Sequence, residues 1–284
     1  MPPAALGFIL CAAIFHAGWN LFVKQAQNQQ VFLMWATLST LLCFPLLLLL
    51  PPLPLQAWPF VLGSALAEAL YIITLAWAYA IGDFSLVYPI ARGAAPILLT
   101  VWAMLFLKEK PGAFGLVGIA VLVVGLMVVG AGASWKTLRA TTLSLPAIGV
   151  ALLTATFISI YGAIDGAAVH LVDPRTYVIW VFGLAALFVT PFIMHRYGAQ
   201  LATKQLREQW PRILLVGVLI VITYGMVLFA YTMGRVSYAG SIREVSIVFG
   251  ALMGWRFLGE GLGLMRTIGA LLIFAGIVVI ALWG

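Results

Sequence analysis

The sequence predicts an all-α polytopic membrane protein, with ten transmembrane helices in two inverted five-helix repeats. Three observations lead there: a composition too apolar for a water-facing surface, ten apolar runs of spanning length, and residues that return after 151 or 152 positions. Hydrophobic residues make up 64% of the 284-residue chain and charged ones 8%, against roughly 45–50% and about 25% in soluble domains. So few charges cannot cover a folded surface of this size, and most of the outside must face lipid. With 28 Gly, 14 Pro and 2 Cys, collagen-like, disordered and disulfide-scaffold readings are excluded. Cys11 and Cys43 lie in apolar runs, which argues against a disulfide framework or a thiolate metal site. The formal charge of +7 is assigned to loops near anionic lipid headgroups, and no basic stripe marks nucleic acid as a partner.

A spanning helix needs about 20 mostly apolar residues. The run 5–23 follows Met1-Pro2-Pro3, which lacks the basic segment of a secretory signal, so it is read as a retained span. The runs 31–50 and 59–80 are separated by Pro45, Pro51, Pro52, Pro54 and Pro59, where a re-entrant piece would change the count by one. Next come 85–106 and 113–131, on either side of Lys108-Glu109-Lys110, and then 145–165 and 175–194. The hydrophilic stretch from His195 to Arg212 reads as a small amphipathic loop, and 212–232, 238–255 and 265–283 complete the ten.

Adding 151 carries Arg92 to Arg243, Glu109 to Glu260, Gly118 to Gly269 and Gly125 to Gly276; adding 152 carries Tyr79, Gly82 and Ser85 to Tyr231, Gly234 and Ser237. The chain therefore divides into repeats 1–136 and 137–284. Because each holds an odd number of spans, the second enters the membrane inverted, an architecture suited to alternating access at a central site. The glycine pairs at heptad spacing permit close helix approach.

Of the 15 Lys and Arg and 8 Asp and Glu side chains, four sit well inside spans: Glu68, Arg92, Arg243 and Glu244. Intramembrane charges usually face a bundle interior or wet cavity, so they are read either as a substrate site or as structural pairs locking helices. Glu68 shares a helix face with Tyr71 and Tyr79, where a carboxylate beside phenols can read a cationic group or carry a proton. Tyr88 lies one turn before Arg92, and Pro96, four residues after it, cannot donate to the Arg92 carbonyl, which predicts a kink and a hinge. Arg92 suits a substrate oxyanion because guanidinium offers two parallel donors. His16, Trp19 and Asn20 share one face of the first span, as a ligand wall or a polar packing contact; Tyr224 and Tyr231 share a face of the eighth, as a counterpart to Tyr71/Tyr79 or as packing.

The run Tyr88-Pro89-Ile90-Ala91-Arg92-Gly93-Ala94-Ala95-Pro96, followed by Leu107-Lys108-Glu109-Lys110 and a Gly-rich fifth span, with its echo Leu258-Gly259-Glu260 before a Gly-rich tenth, resembles the drug/metabolite transporter superfamily of the EamA type. His16-Ala17-Gly18-Trp19-Asn20, with Lys24 a turn on, is similar to a subgroup associated with phosphonate utilisation. Four-helix multidrug members carry a Glu in the first span where this chain has His16, so their proton-coupled efflux does not transfer directly. The resemblance implies a permease in the bacterial cytoplasmic membrane.

No GxSxG, P-loop, HExxH or Asp-rich Mg²⁺ motif is present, and His16, His170 and His195 have no metal-like spacing. The expectation is a secondary-active transporter, not an enzyme, of a small polar or amphipathic metabolite of amino-acid-like, amine or phosphonate class. It would use no cofactor or metal, a coupling proton or ion is possible, and the chain would be a monomer or homodimer. An intramembrane enzyme and a channel or lipid scramblase are the alternatives. Nine Lys and Arg flank the odd-numbered loops and four the even-numbered ones, which places both termini outside; the resemblance implies both inside, and that orientation is preferred.

Overall fold

The computed structural model describes residues 1–82, 84–132, 145–258 and 263–284, and in these regions every regular element is helical. Helix α1 spans Pro3–Lys24 and α2 spans Gln29–Leu38, its N-terminus capped by the Asn28 side chain, which accepts from the backbone N–H of Gln30 and Val31. The chain then tightens into a 3₁₀ stretch, Ser39–Leu49, that contains Pro45. A 3₁₀ helix rises about 2.0 Å per residue against 1.5 Å for an α-helix, so the second span gains length where proline withholds a donor. After a short turn at Leu55–Ala57 come α3 (Trp58–Ile81), α4 (Phe84–Phe106), α5 (Ala113–Gly132), α6 (Leu145–Ala168), α7 (Pro174–Met233), α8 (Val236–Arg243), α9 (Ser246–Leu258) and α10 (Gly263–Trp283).

Two expectations are corrected. The stretch from His195 to Arg212 is not a loop: it is helical, and α7 runs for 60 residues with one non-helical residue, Gly198, at φ 77°. That left-handed conformation is open to glycine without strain, so a single residue suffices for the turn between arms 174–197 and 199–233. The turn is tied to the start of α2 by Tyr197 Oη donating to Gln30 Oε1 (2.7 Å), Trp35 Nε1 to the Ala202 carbonyl (2.9 Å) and Gln205 Nε2 to the Asn28 carbonyl (2.9 Å). The span expected at 238–255 is likewise two helices, α8 and α9, interrupted at Glu244 and Val245.

Among the described residues, seven helical segments are long and apolar enough to cross a bilayer. The 60-residue α7 is one of them, and its helical path of about 90 Å at 1.5 Å per residue is divided at Gly198 into two arms. The break between α8 and α9 leaves both pieces short.

The repeat is visible in the packing. Helices α5 and α10 lie antiparallel, and a Cβ added at Gly118 would meet the Gly276 carbonyl at 2.9 Å, while one added at Gly276 would meet the Gly118 carbonyl at 2.6 Å. Gly125 and Gly269 exchange the same contact at 2.8 and 2.7 Å, and Ile273 stands to Gly125 as Leu122 does to Gly276. Backbone lies on backbone at a seam that a half-turn maps onto itself, the close approach that lipid-embedded helices need because no hydrophobic drive presses them together. The rest of the bundle follows: α6 packs on α3 and α4, while α1 packs on α7, α8 and α9.

Candidate functional site

A cavity of about 470 Å³ enters between the halves at the face where α1, α5 and α9 end and α2 and α10 begin, past Lys24, Gln29, Gly130, Gly254 and Arg266. It descends to Ile158, near the middle of α6, and to Ser246, where α9 begins. Its walls include six of the predicted residues: His16, Trp19 and Asn20 from α1, Tyr71 and Tyr79 from α3, and Arg92 from α4. The α1 group is preorganised, because Asn20 Nδ2 donates to the His16 carbonyl (2.8 Å) and the His16 and Trp19 rings meet edge-on at 4.6 Å. Among the described residues the buried Trp19 indole N–H has no acceptor.

Behind Arg92 lies a charge cluster. Arg92 Nε stands 3.2 Å from Glu244 Oε2, and Arg243 Nη2 stands 3.8 Å from Glu244 Oε1; the Glu244 side chain is 2% exposed. The helix break makes this possible: Glu244 N–H bonds the Ser241 carbonyl and Val245 N–H the Ile242 carbonyl, tight i to i−3 contacts that set consecutive residues facing the same interior. Arg243 also donates to Tyr161 Oη (3.2 Å) and stacks over the Tyr161 and Tyr224 rings at 5.8 and 5.9 Å. Two arginines thus share one carboxylate, and both carboxylate oxygens face guanidinium.

The other predicted residues sit elsewhere. Glu68 does not line the cavity; the charges acting on it come from Arg243, Asp165 and Arg92. Tyr224 and Tyr231 lie behind the wall, and the buried Tyr231 hydroxyl has no hydrogen-bond partner. The Tyr88 side chain lies outside the described residues. At Pro96 the helix assignment of α4 continues unbroken, and Thr100 Oγ1 donates to the Pro96 carbonyl at 2.8 Å; the interruption falls in the opposite half, at Glu244.

Two carboxylates emerge that were not singled out as site residues. Asp165, fully buried near the end of α6, accepts hydrogen bonds from Tyr177 Oη (2.8 Å) and from Tyr224 Oη, one from each arm of α7. The expected span ended at Asp165, so it read as an edge residue; Tyr161, four residues before it on the same helix face, was the available sign. Glu109, singled out only for its repeat with Glu260, caps the start of α8: its carboxylate accepts from Val236 N–H (2.5 Å), Ser237 N–H (3.2 Å) and Ser237 Oγ (2.5 Å). Beside it Tyr238 Oη accepts from Gly112 N–H (3.0 Å), and the Met1 ammonium donates to the Ala281 carbonyl (3.2 Å). These contacts join first half to second at the face opposite the cavity mouth. Glu260 lies outside the described residues.

The sequence pattern of the EamA-like transporter family matches twice, over residues 3–131 and 145–282. A solved structure described as "Crystal structure of protein" superposes over the whole of both chains with a TM-score of 0.75 at 14% identity, a likeness of fold. No curated protein matches the sequence.

Proposed function

Since the chain belongs to the EamA-like transporter family, and is therefore an integral membrane transporter of small molecules, we propose that it is a secondary-active carrier that moves a small organic oxyanion by alternating access. In this reading the bundle crosses the bacterial cytoplasmic membrane ten times, as two inverted halves at 1–136 and 137–284. The observation that carries it is the pairing of a cavity open toward one face with a closed contact at the other: Arg92 lies at the cavity wall, while Glu109 fastens α8 beyond it. Amino-acid-like and phosphonate ligands fit better than simple amines, because Arg92 lies at the cavity wall whereas Glu68 stands outside it. A channel or scramblase needs a continuous path, which the Glu109 contacts interrupt.

A thermal-shift screen of the purified protein tests the reading, since a ligand that binds the folded state raises its melting point by mass action. Carboxylates, amino acids and phosphonates are expected to stabilise the wild type and to lose their effect in Arg92→Lys, which keeps the charge but not the fork. Stabilisation by amines alone, or unsaturable flux through reconstituted vesicles, overturns it.

A further inference from the structure

We propose that Asp165 is the binding site of a coupling proton, taken up from the face opposite the cavity mouth. The inference rests on the carrier reading above and adds to it the identity and location of the coupled ion.

Asp165 lies three residues before the end of α6, and Tyr177 three residues into α7, so both are about 5 Å of helix rise from the closed face. The groups that face Asp165 are Tyr177 and Tyr224 from the two arms of α7, Ser64 and Glu68 from α3, and Arg243 from α8, which reaches it through the Tyr224 ring. Among the described residues no Lys, Arg or His forms an ion pair with it. A carboxylate in hydrocarbon without an adjacent cation is costly and marks a functional position.

The neighbouring phenol makes the site satisfiable in two protonation states. Tyr177 Oη lies 2.8 Å from Asp165 Oδ1 and 3.3 Å from the Phe60 carbonyl. A phenol has one proton to donate and lone pairs to accept. With Asp165 ionised, Tyr177 donates to Oδ1. When a hydronium ion gives its proton to Oδ1 and leaves as water, the carboxylic acid donates to Tyr177 Oη, and the phenol proton turns to the Phe60 carbonyl. One O–H bond forms on Asp165, and Tyr177 and Tyr224 each keep an acceptor in both states.

The consequence reaches the cavity. Tyr224 joins Asp165 to Arg243, Arg243 contacts Glu244, and Glu244 holds Arg92. Neutralising Asp165 removes a negative charge that draws Arg243 away from Glu244. Arg243 then competes better for Glu244, which loosens its hold on Arg92 in the cavity wall. A proton at Asp165 and an anion at Arg92 therefore favour each other's binding.

The test uses purified full-length protein carrying Cys11→Ala, Cys43→Ala and Val236→Cys, a position 2% exposed at the closed face. Thiol labelling reports opening of that face and infrared difference spectra report carboxylic-acid carbonyls, both across a pH series in sodium-free buffer. Labelling, taken at each pH as the rate relative to the same cysteine in denatured protein so that thiolate formation cancels, is expected to change with pH by up to about tenfold per unit, the limit for one linked proton. Asp165→Asn, which keeps the side-chain shape, should make labelling independent of pH and remove one carbonyl band. Tyr177→Phe should retain that band and move its titration, which keeps the idea testable if Asp165→Asn folds poorly. A full set of bands in folded Asp165→Asn overturns the proposal, as does labelling that follows added Na⁺ and ignores pH. If Val236→Cys is never labelled while the band is lost, the proton site stands and alternating access fails.

Discussion

Arg92→Gln separates a structural pair from a free ligand group, and the geometry names the partner. Arg92 is 3.2 Å from Glu244, whose side chain is 2% exposed. Removing one member of a buried pair costs about 3–5 kcal/mol because the other charge stays desolvated. Here Arg243 remains 3.8 Å from the second Glu244 oxygen, so the lower end, about 3 kcal/mol, is expected. Arg92→Gln/Glu244→Gln should recover most of that loss, since no uncompensated carboxylate is left. Arg92→Gln/Glu68→Gln should not, because Glu68 makes no ion pair with Arg92 among the described residues. Melting of six proteins in one detergent, the wild type, the three single variants and the two doubles, closes two double-mutant cycles and should give a coupling of about 2 kcal/mol for Arg92 with Glu244 and under about 0.5 kcal/mol for Arg92 with Glu68. Rescue by Glu68→Gln in place of Glu244→Gln refutes the assignment, and an unchanged melting point in Arg92→Gln removes the pair altogether.

The seam predicts that Gly125→Ala, whose Cβ would meet Ile273 N at 2.7 Å and the Gly269 carbonyl at 2.8 Å, destabilises by about 1–3 kcal/mol. Gly7→Ala, with nothing within 4 Å, should leave melting unchanged or raise it, and equal effects at the two sites would sink the packing argument. Glu109→Gln weakens charge-assisted bonds to the start of α8, each worth about 1.5–3 kcal/mol, and should speed labelling at Val236→Cys roughly tenfold; an unchanged rate means that the contact does not hold the face shut. Asp173 caps α7, and the Arg175 side chain that donates to it holds its carboxyl below the usual carboxylate range. A depressed folded pKa stabilises above the unfolded value and the effect is lost as pH falls through the folded one. Asp173→Ala should therefore cost about 1 kcal/mol at neutral pH, and its melting gap from wild type should close on acidification; a constant gap contradicts this. With termini inside, Thr203→Cys, exposed beyond Gly198, should react with an impermeant reagent in intact cells, and protection reverses the orientation.

The fold was legible because its two determinants are linear in sequence: apolar run length sets where a helix can span, and a fixed offset exposes a repeat. The 152-residue offset carries the start of α4, Phe84, onto Val236, the start of α8, and the 151-residue offset carries its end, Phe106, onto Phe257, next to the end of α9 at Leu258. What the offset hides is local backbone. One positive φ at Gly198 turns a hydrophilic stretch into two helical arms, and hydropathy is blind to the break at Glu244 because neither flank changes composition. Asp165 escaped because a few residues of helix decide whether a carboxylate lies at the edge of a span or inside it. The six cavity-wall residues were legible from helical spacing and charge in apolar runs, whereas pairing across halves was not, since sequence names both partners without their distance.

The broken helix and the odd carboxylate have one explanation. A strict repeat would bring Arg92 and its counterpart Arg243 together at the interface of the halves with no negative charge between them. The second half places Glu244 beside Arg243, and its interrupted helix lets both side chains face inward. The departure from the repeat is therefore what allows the two arginines to lie close, and it gives the halves unequal roles: α4 supplies Arg92 to the cavity wall, and the α8–α9 break supplies the carboxylate that Arg92 must leave when an anion binds.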